Sequence, residues 1–346
     1  MKFPYGNSDF RSVILDKYYY CDRTDRIPRL EQEKYQLFLR PRRFGKSMLL
    51  SMLENYYDVA AKEQFGPLFG HLKIGKNPTR LRNSYFILKW DFSCIDASGS
   101  LKEIRQSLFN HVNGTIKRFV LKYAAYDLPP ITINNEDALS SIQSLTSAVE
   151  MTGRPVFLLI DEYDNFANEV MMSVERSVDH YEALVKKEGI LKTVFKNIKA
   201  SASGSMFDRI FITGVSPVVM SDMTSGFNIG ENVYLEPEYN DLCGFTEAEI
   251  HDIVEKMRSE ISLISSESNK VHTSEPNKDY TCESSSEHTG EPNKVHTGEL
   301  PAQKESLPSN KSLPSDESLP LVEEIVNIMR LYYDGYTFTR NGTIRV

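Results

Sequence analysis

Arg40-Pro-Arg-Arg-Phe-Gly-Lys-Ser47 follows an apolar run, Tyr35 to Leu39, and opens a stretch in which Met48, Leu49, Met52, Leu53 and Tyr56 share one helical face. Strand, basic turn and helix in that order bring the backbone N–H groups of residues 43–47 to the positive end of a helix, where an anion is stabilised. The eight residues fit G-x-x-x-x-G-K-[ST] at every fixed position but the first, where Arg40 replaces glycine. In a phosphate loop of this kind Lys46 reaches the β- and γ-phosphates of a nucleoside triphosphate, and the Ser47 hydroxyl is a Mg²⁺ ligand. Arg40, Pro41, Arg42, Arg43, Phe44, Gly45, Lys46 and Ser47 are therefore the candidate nucleotide contacts. A Gly-Lys-Ser in a basic turn also arises by chance, so this reading requires an acidic partner elsewhere in the chain.

Val156-Phe-Leu-Leu-Ile-Asp-Glu162 supplies that partner: a fully apolar strand that ends in two carboxylates, more than a hundred residues downstream. Asp161 is placed to hold Mg²⁺ through water, and Glu162 to polarise the water that attacks the γ-phosphate. Adjacent residues of a strand point to opposite sides, so the two carboxylates can take different roles. The plain alternative is a solvated acidic turn after a core strand. A third strand, Arg209-Ile-Phe-Ile-Thr-Gly-Val-Ser216, offers Thr213 and Ser216 at its carboxyl end; either hydroxyl can sense a γ-phosphate, or cap the turn at Pro217. Thr213 is taken with Lys46 and Glu162 as the candidate catalytic set. Asp164 reads as structural, and Arg42 and Arg43 are open to pairing either with phosphate or with the acidic run 161–164.

Outward from these motifs, short apolar runs alternate with amphipathic stretches from Tyr35 to about Leu235, the pattern of βαβ units around a mainly parallel sheet. Strands are expected at Tyr35–Leu39, Tyr85–Phe92, Val156–Ile160 and Arg209–Val215, with a short fifth at Val233–Leu235. Helices are expected at Gly45–Tyr57, Leu101–Tyr123, Glu136–Met151, His180–Ala200 and Thr246–Arg258. The composition then turns to Ser, Glu, Pro, Asn, Lys and Thr until about residue 320, which cannot build a core and predicts a disordered insert. Its fragments recur: Asn269-Lys-Val-His-Thr273 returns at 293–297, and Ser-Leu-Pro at Ser306, Ser312 and Ser318. His288-Thr-Gly-Glu291 has the look of a zinc-finger linker, but the paired cysteines such a finger needs are missing. An amphipathic helix from Leu321 to Tyr333 and the aromatic segment Tyr332 to Phe338 follow.

The 346 residues, 40% of them hydrophobic, suffice for a large α/β domain with a core of its own. With 40 Lys and Arg against 48 Asp and Glu, the formal charge of -8 gives no global attraction to nucleic acid. Four scattered cysteines make neither a disulfide framework nor a zinc ribbon. No apolar run reaches the ~18 residues that span a bilayer, and Met1 to Phe10 has no signal-peptide core, so an intracellular protein without a membrane partner is expected.

The loop resembles that of the AAA-ATPase-like family, whose members carry L-R-P-R-R-F-G-K-S, Arg40 included. Similarity extends to Phe3-Pro-Tyr-Gly-Asn-Ser-Asp-Phe10, to Tyr20-Cys-Asp-Arg-Thr24, which is similar to V-D-K-T, to Leu158-Leu-Ile-Asp-Glu-Tyr-Asp164, and to Phe211-Ile-Thr-Gly-Val215. It continues through Cys243-Gly-Phe-Thr246 and Tyr333-Asp-Gly-Tyr-Thr-Phe338. The resemblance implies a three-layer α/β/α P-loop NTPase core over residues 35–245, an N-terminal segment 1–34 packed on it, and a small helical lid from 246–258 and 321–346, interrupted by the insert 259–320. It implies ATP and Mg²⁺ as cofactors. Longer members of the family carry a PD-(D/E)xK-type nuclease domain that is not expected within these 346 residues. Two functions stand open: an ATP hydrolase, or a nucleotide-binding switch or scaffold with little turnover. A protein partner or a second copy of the chain fits either, and a nucleic-acid-binding remnant is a third, less supported class.

Overall fold

The computed structural model describes residues 1–172, 189–204, 206–222, 227–271, 322–324, 326, 336–337 and 344–345. In chain order the elements are α1 (Phe10–Leu15), α2 (Ile27–Leu30), β1 (Tyr35–Leu39), α3 (Lys46–Tyr57), α4 (Phe65–Phe69), β2 (Phe86–Asp91), α5 (Leu101–Lys122) and α6 (Ala138–Thr152). Then come β3 (Val156–Asp161), α7 (Asn165–Met172), α8 (Ile190–Ser203), β4 (Phe207–Gly214), α9 (Val218–Asp222), β5 (Glu231–Asn232) and α10 (Glu247–Val271). Five strands form one sheet in the order β2-β3-β4-β1-β5, and every pairing in it is parallel. Parallel neighbours need crossovers, and the apolar runs of β1, β3 and β4 are those of strands covered on both faces.

Alternation along each strand sorts its side chains into two cores. Leu37, Leu88, Leu158 and Ile212 face one side, with Ile104 and Leu108 of α5, Ile142 and Leu145 of α6, and Val194 and Phe195 of α8. Phe38, Ile87, Leu159 and Phe211 face the other, with Leu50 and Leu53 of α3 and Phe69 of α4. Helices on both faces make three layers. The N-terminal residues Phe10, Ile14, Ile27 and Leu30 are buried in the second core. Helix starts follow side-chain capping: Asp9 caps α1, Asp137 caps α6, and Ser100 with Glu103 forms a capping box on α5.

Three expectations are revised. The fifth strand is Glu231–Asn232, paired with Gln36 and Leu37, while Val233–Leu235 turns as a 3-10 helix whose Val233 is buried. Helix α10 runs to Val271 rather than ending near Arg258, because Ile250, Ile253, Val254, Met257 and Ile261 keep a helical spacing into the Ser-rich sequence. Within the region read as helical lid, Tyr336–Thr337 and Ile344–Arg345 pair as antiparallel strands. The expected helix from His180 lies outside the described residues as far as 188, and most of 259–320 and 321–346 lies outside them too. Two compact units are distinguished, Met1–Glu247 with Tyr333–Val346, and Ala248–Tyr332. Among the described residues no helix is long and apolar enough to cross a membrane.

Candidate nucleotide site

Strand β4 lies between β1 and β3, and all three end on the same edge of the sheet. Register pairs Phe38 with Thr213 and Leu39 with Gly214 on one flank of β4, and Ile160 with Ile212 on the other. Thr213 therefore stands between the loop that follows β1 and the carboxylates that end β3. Its Oγ1 donates to Asp161 Oδ1 at 2.5 Å, and both residues are buried. Of the two candidate hydroxyls, Thr213 is the one the fold brings to Asp161. Ser216 instead accepts from the Val218 N–H at the start of α9, the capping role that was its alternative.

The chain leaves β1 through Arg43 at φ 68 and Gly45 at φ 91, two left-handed residues that turn it into α3. Lys46, the first residue of α3, is buried, and its Nζ donates to the carbonyls of Arg40 at 2.9 Å and Pro41 at 3.0 Å. Burial pushes its pKa below the ordinary lysine value, against the pull of the Asp161 and Glu162 carboxylates. Ser47 follows it in the first turn, half-buried. Arg42 is exposed, and its Nη2 donates to Asn165 Oδ1 at 3.3 Å.

Arg40, expected among the nucleotide contacts, turns its side chain the other way. Its guanidinium is 1% exposed and lies 4.5 Å from the Phe38 ring centroid. It donates to the carbonyls of Leu39 at 2.7 Å, Tyr234 at 3.0 Å and Tyr239 at 3.0 Å. Burying a guanidinium requires such partners, and they tie the loop to the segment after β5. That segment returns a second tie: the Gly244 N–H donates to Phe44 O at 2.9 Å. Gly244 has φ +80, and a Cβ there would come within 2.9 Å of the Phe44 ring. Local sequence pattern carried no hint that Arg40 would turn inward; Gly244 lay within a segment noted only for resemblance.

At the end of β3, Glu162 takes a left-handed φ of 48, and its N–H donates to Asp161 Oδ1 at 3.1 Å. Its pKa is raised, first by burial, then by the Asp161 charge, with Asp91 adding to the rise and Lys46 and Arg42 opposing it. Asp91 ends β2 in register with Asp161, a neighbour the sequence analysis did not single out. Asp164 is structural as expected: its carboxylate accepts from the N–H groups of Val215 at 3.1 Å and Ser216 at 2.7 Å, holding the turn after β4. Gly214 permits that approach, since a Cβ there would meet Asp164 Oδ1 at 2.6 Å. Cys243, buried beside the loop, has its thiol pushed up to about 12 by desolvation, which leaves it an inert thiol.

The model of the AAA-ATPase-like family, described as "Predicted AAA-ATPase", matches residues 4–224. The chain belongs to the AAA-ATPase-like family. An uncharacterized protein in the vnfD 5′ region of Azotobacter chroococcum mcd 1 is 26% identical over 261 residues, covering 72% of this chain and 44% of that relative. The AAA-ATPase-like chain thus spans less than half the length of this relative. No solved structure matches it. The family match takes in the loop, Asp161, Glu162 and Thr213, and stops before Gly244, whose tie to Phe44 is visible only in the fold.

Proposed function

We propose that this AAA-ATPase-like chain binds Mg²⁺–ATP at residues 40–47 and hydrolyses it. One observation carries the reading: Lys46 at the start of the helix after β1, Asp161 and Glu162 at the end of β3, and Thr213 near the end of β4 lie toward one edge of the sheet, with Thr213 bonded to Asp161. Ligands of open parallel sheets bind at such carboxyl edges. The oxygen donors Ser47 and Asp161 suit Mg²⁺, which takes few protein ligands and keeps its waters. When bound, the cation neutralises charge that develops on the phosphates. Lys46 exchanges the carbonyls of Arg40 and Pro41 for phosphate oxygens, a gain because a buried ammonium bonds an anion more strongly than a neutral carbonyl. Glu162 orients the attacking water and takes its proton, and a raised pKa brings it closer to the working pH of a general base. Thr213 fixes the orientation of Asp161.

A fluorescent ATP analogue should bind in the presence of Mg²⁺, and Lys46→Ala should abolish that binding; a wild-type chain without affinity at millimolar Mg²⁺–ATP would sink the reading. Glu162→Gln should keep ATP and lose turnover. The second reading, a switch with little turnover, is favoured by the lysine already being satisfied by its own loop. It predicts binding in the wild type with no phosphate release for Glu162→Gln to remove.

A further inference from the structure

We propose that Arg42 is the cation that meets the γ-phosphate, supplied in cis by the loop itself, and that Asn165 is the positioning residue that holds it ready. The inference rests on the nucleotide reading above and deepens it. The three arginines of the loop have different fates. Arg40 is buried against carbonyls, and Arg43 carries the left-handed turn, whereas Arg42 leans toward the end of β3. Asn165 opens α7 three residues after Glu162, so the bond from Arg42 crosses from the loop to the segment that leaves β3. The guanidinium thus lies on the side of the loop that faces the end of β3, where the nucleotide reading puts the γ-phosphate.

Asn165 is arranged to present oxygen rather than nitrogen to Arg42. Its Nδ2 donates to Glu169 Oε1 at 2.8 Å, which leaves Oδ1 turned to the arginine. The residue is 9% exposed, so its rotamer is held by packing as well. The bond to Arg42 is long at 3.3 Å, and its acceptor is neutral. A phosphate oxygen offers a charge-assisted partner, so the exchange is downhill while the arginine starts near its destination. Charge placed where the transition state gathers negative charge is the main catalytic device of phosphoryl transfer.

The test compares the affinities of fluorescent Mg²⁺–ATP and Mg²⁺–ADP analogues for the full chain, Lys46→Ala, Arg42→Ala, Arg42→Lys, Asn165→Asp and the double variant Arg42→Ala with Asn165→Asp, each checked by its melting curve. Arg42→Ala should lose about tenfold or more in ATP affinity while ADP affinity stays, the loss expected when a charged hydrogen bond goes, and Arg42→Lys should recover part of it. Asn165→Asp should weaken ATP binding alone, by holding Arg42 more tightly, and this effect should vanish when Arg42 is already alanine. Equal losses for ATP and ADP in Arg42→Ala, or an Asn165→Asp effect that persists without Arg42, would overturn the proposal. If Lys46→Ala abolishes binding while Arg42→Ala keeps the wild-type ratio of ATP to ADP affinity, the loop reading stands and the role of Arg42 falls. A wild type that binds neither nucleotide removes both.

Discussion

Glu162 is held in left-handed backbone and next to Asp161, and its carboxylate is harder to ionise than an ordinary glutamate. Non-glycine residues in that region carry strain that persists where surrounding structure over-determines it. Glu162→Gln keeps the backbone strain and removes only the charge, so it isolates the electrostatic part. Because the folded state raises the pKa, the protein is best served by the protonated form; that contribution is present below the unfolded value near 4.5 and is lost as pH rises through the raised folded value. Glu162→Gln should therefore melt slightly higher than wild type at neutral pH, by roughly a few tenths of a kcal/mol after screening by solvent. The gain should fade as pH drops to 4.5. Melting curves across that range check it, and an advantage that grows in acid would refute the assignment. The same raised pKa predicts turnover that climbs with pH as Glu162 ionises, and Asp91→Asn should shift the climb to lower pH by removing one like charge.

At the scale of elements, the loop 40–47 is clamped from the C-terminal side by two unlike contacts, the Arg40 guanidinium on Tyr234 and Tyr239 and the Gly244 N–H on Phe44. Gly244→Ala introduces a Cβ where φ is +80 and the Phe44 ring stands 2.9 Å away. A loss of about 1–3 kcal/mol in stability is expected, together with weaker nucleotide binding, readable by denaturant titration and by ATP-analogue affinity. Arg40→Gly restores the glycine that the general phosphate-loop pattern has at this position. Pattern logic alone expects better binding; the structure expects the opposite, because the carbonyls of Tyr234 and Tyr239 lose a buried donor at a cost of about 2–3 kcal/mol. A more stable or tighter-binding Arg40→Gly variant would show that the clamp is incidental. The clamp also ties the loop to residues 234–244, just before α10.

For the whole molecule, saturating Mg²⁺–ATP should raise the melting temperature, since a ligand at 100 times its dissociation constant adds about 2.7 kcal/mol. Replacing 272–320 with a short Gly/Ser linker should leave that shift unchanged, because its composition has little apolar surface to contribute to a core. A lost shift would place that segment in the site. Strands β1, β3 and β4, the parallel sheet and the loop were legible in the sequence because these strands are apolar runs followed by chemistry-bearing residues, a pattern that local periodicity records, whereas the short β5 has no such run. The chain order of Lys46, Asp161, Glu162 and Thr213 was equally plain. Which neighbours those residues would have was not, because strand order is set by how crossovers pack on the two faces of the sheet. That packing put β4 between β1 and β3, gave Thr213 rather than Ser216 to Asp161, and set Asp91 opposite Asp161. It also decided that Arg40 faces inward while Arg42 faces Asn165, a choice made by carbonyls almost two hundred residues away in one case and by an amide more than a hundred away in the other. Residue type and local order were thus determined by the sequence alone, and the direction of each charged side chain by the tertiary structure, since only folding brings together the partners that make a buried charge tolerable.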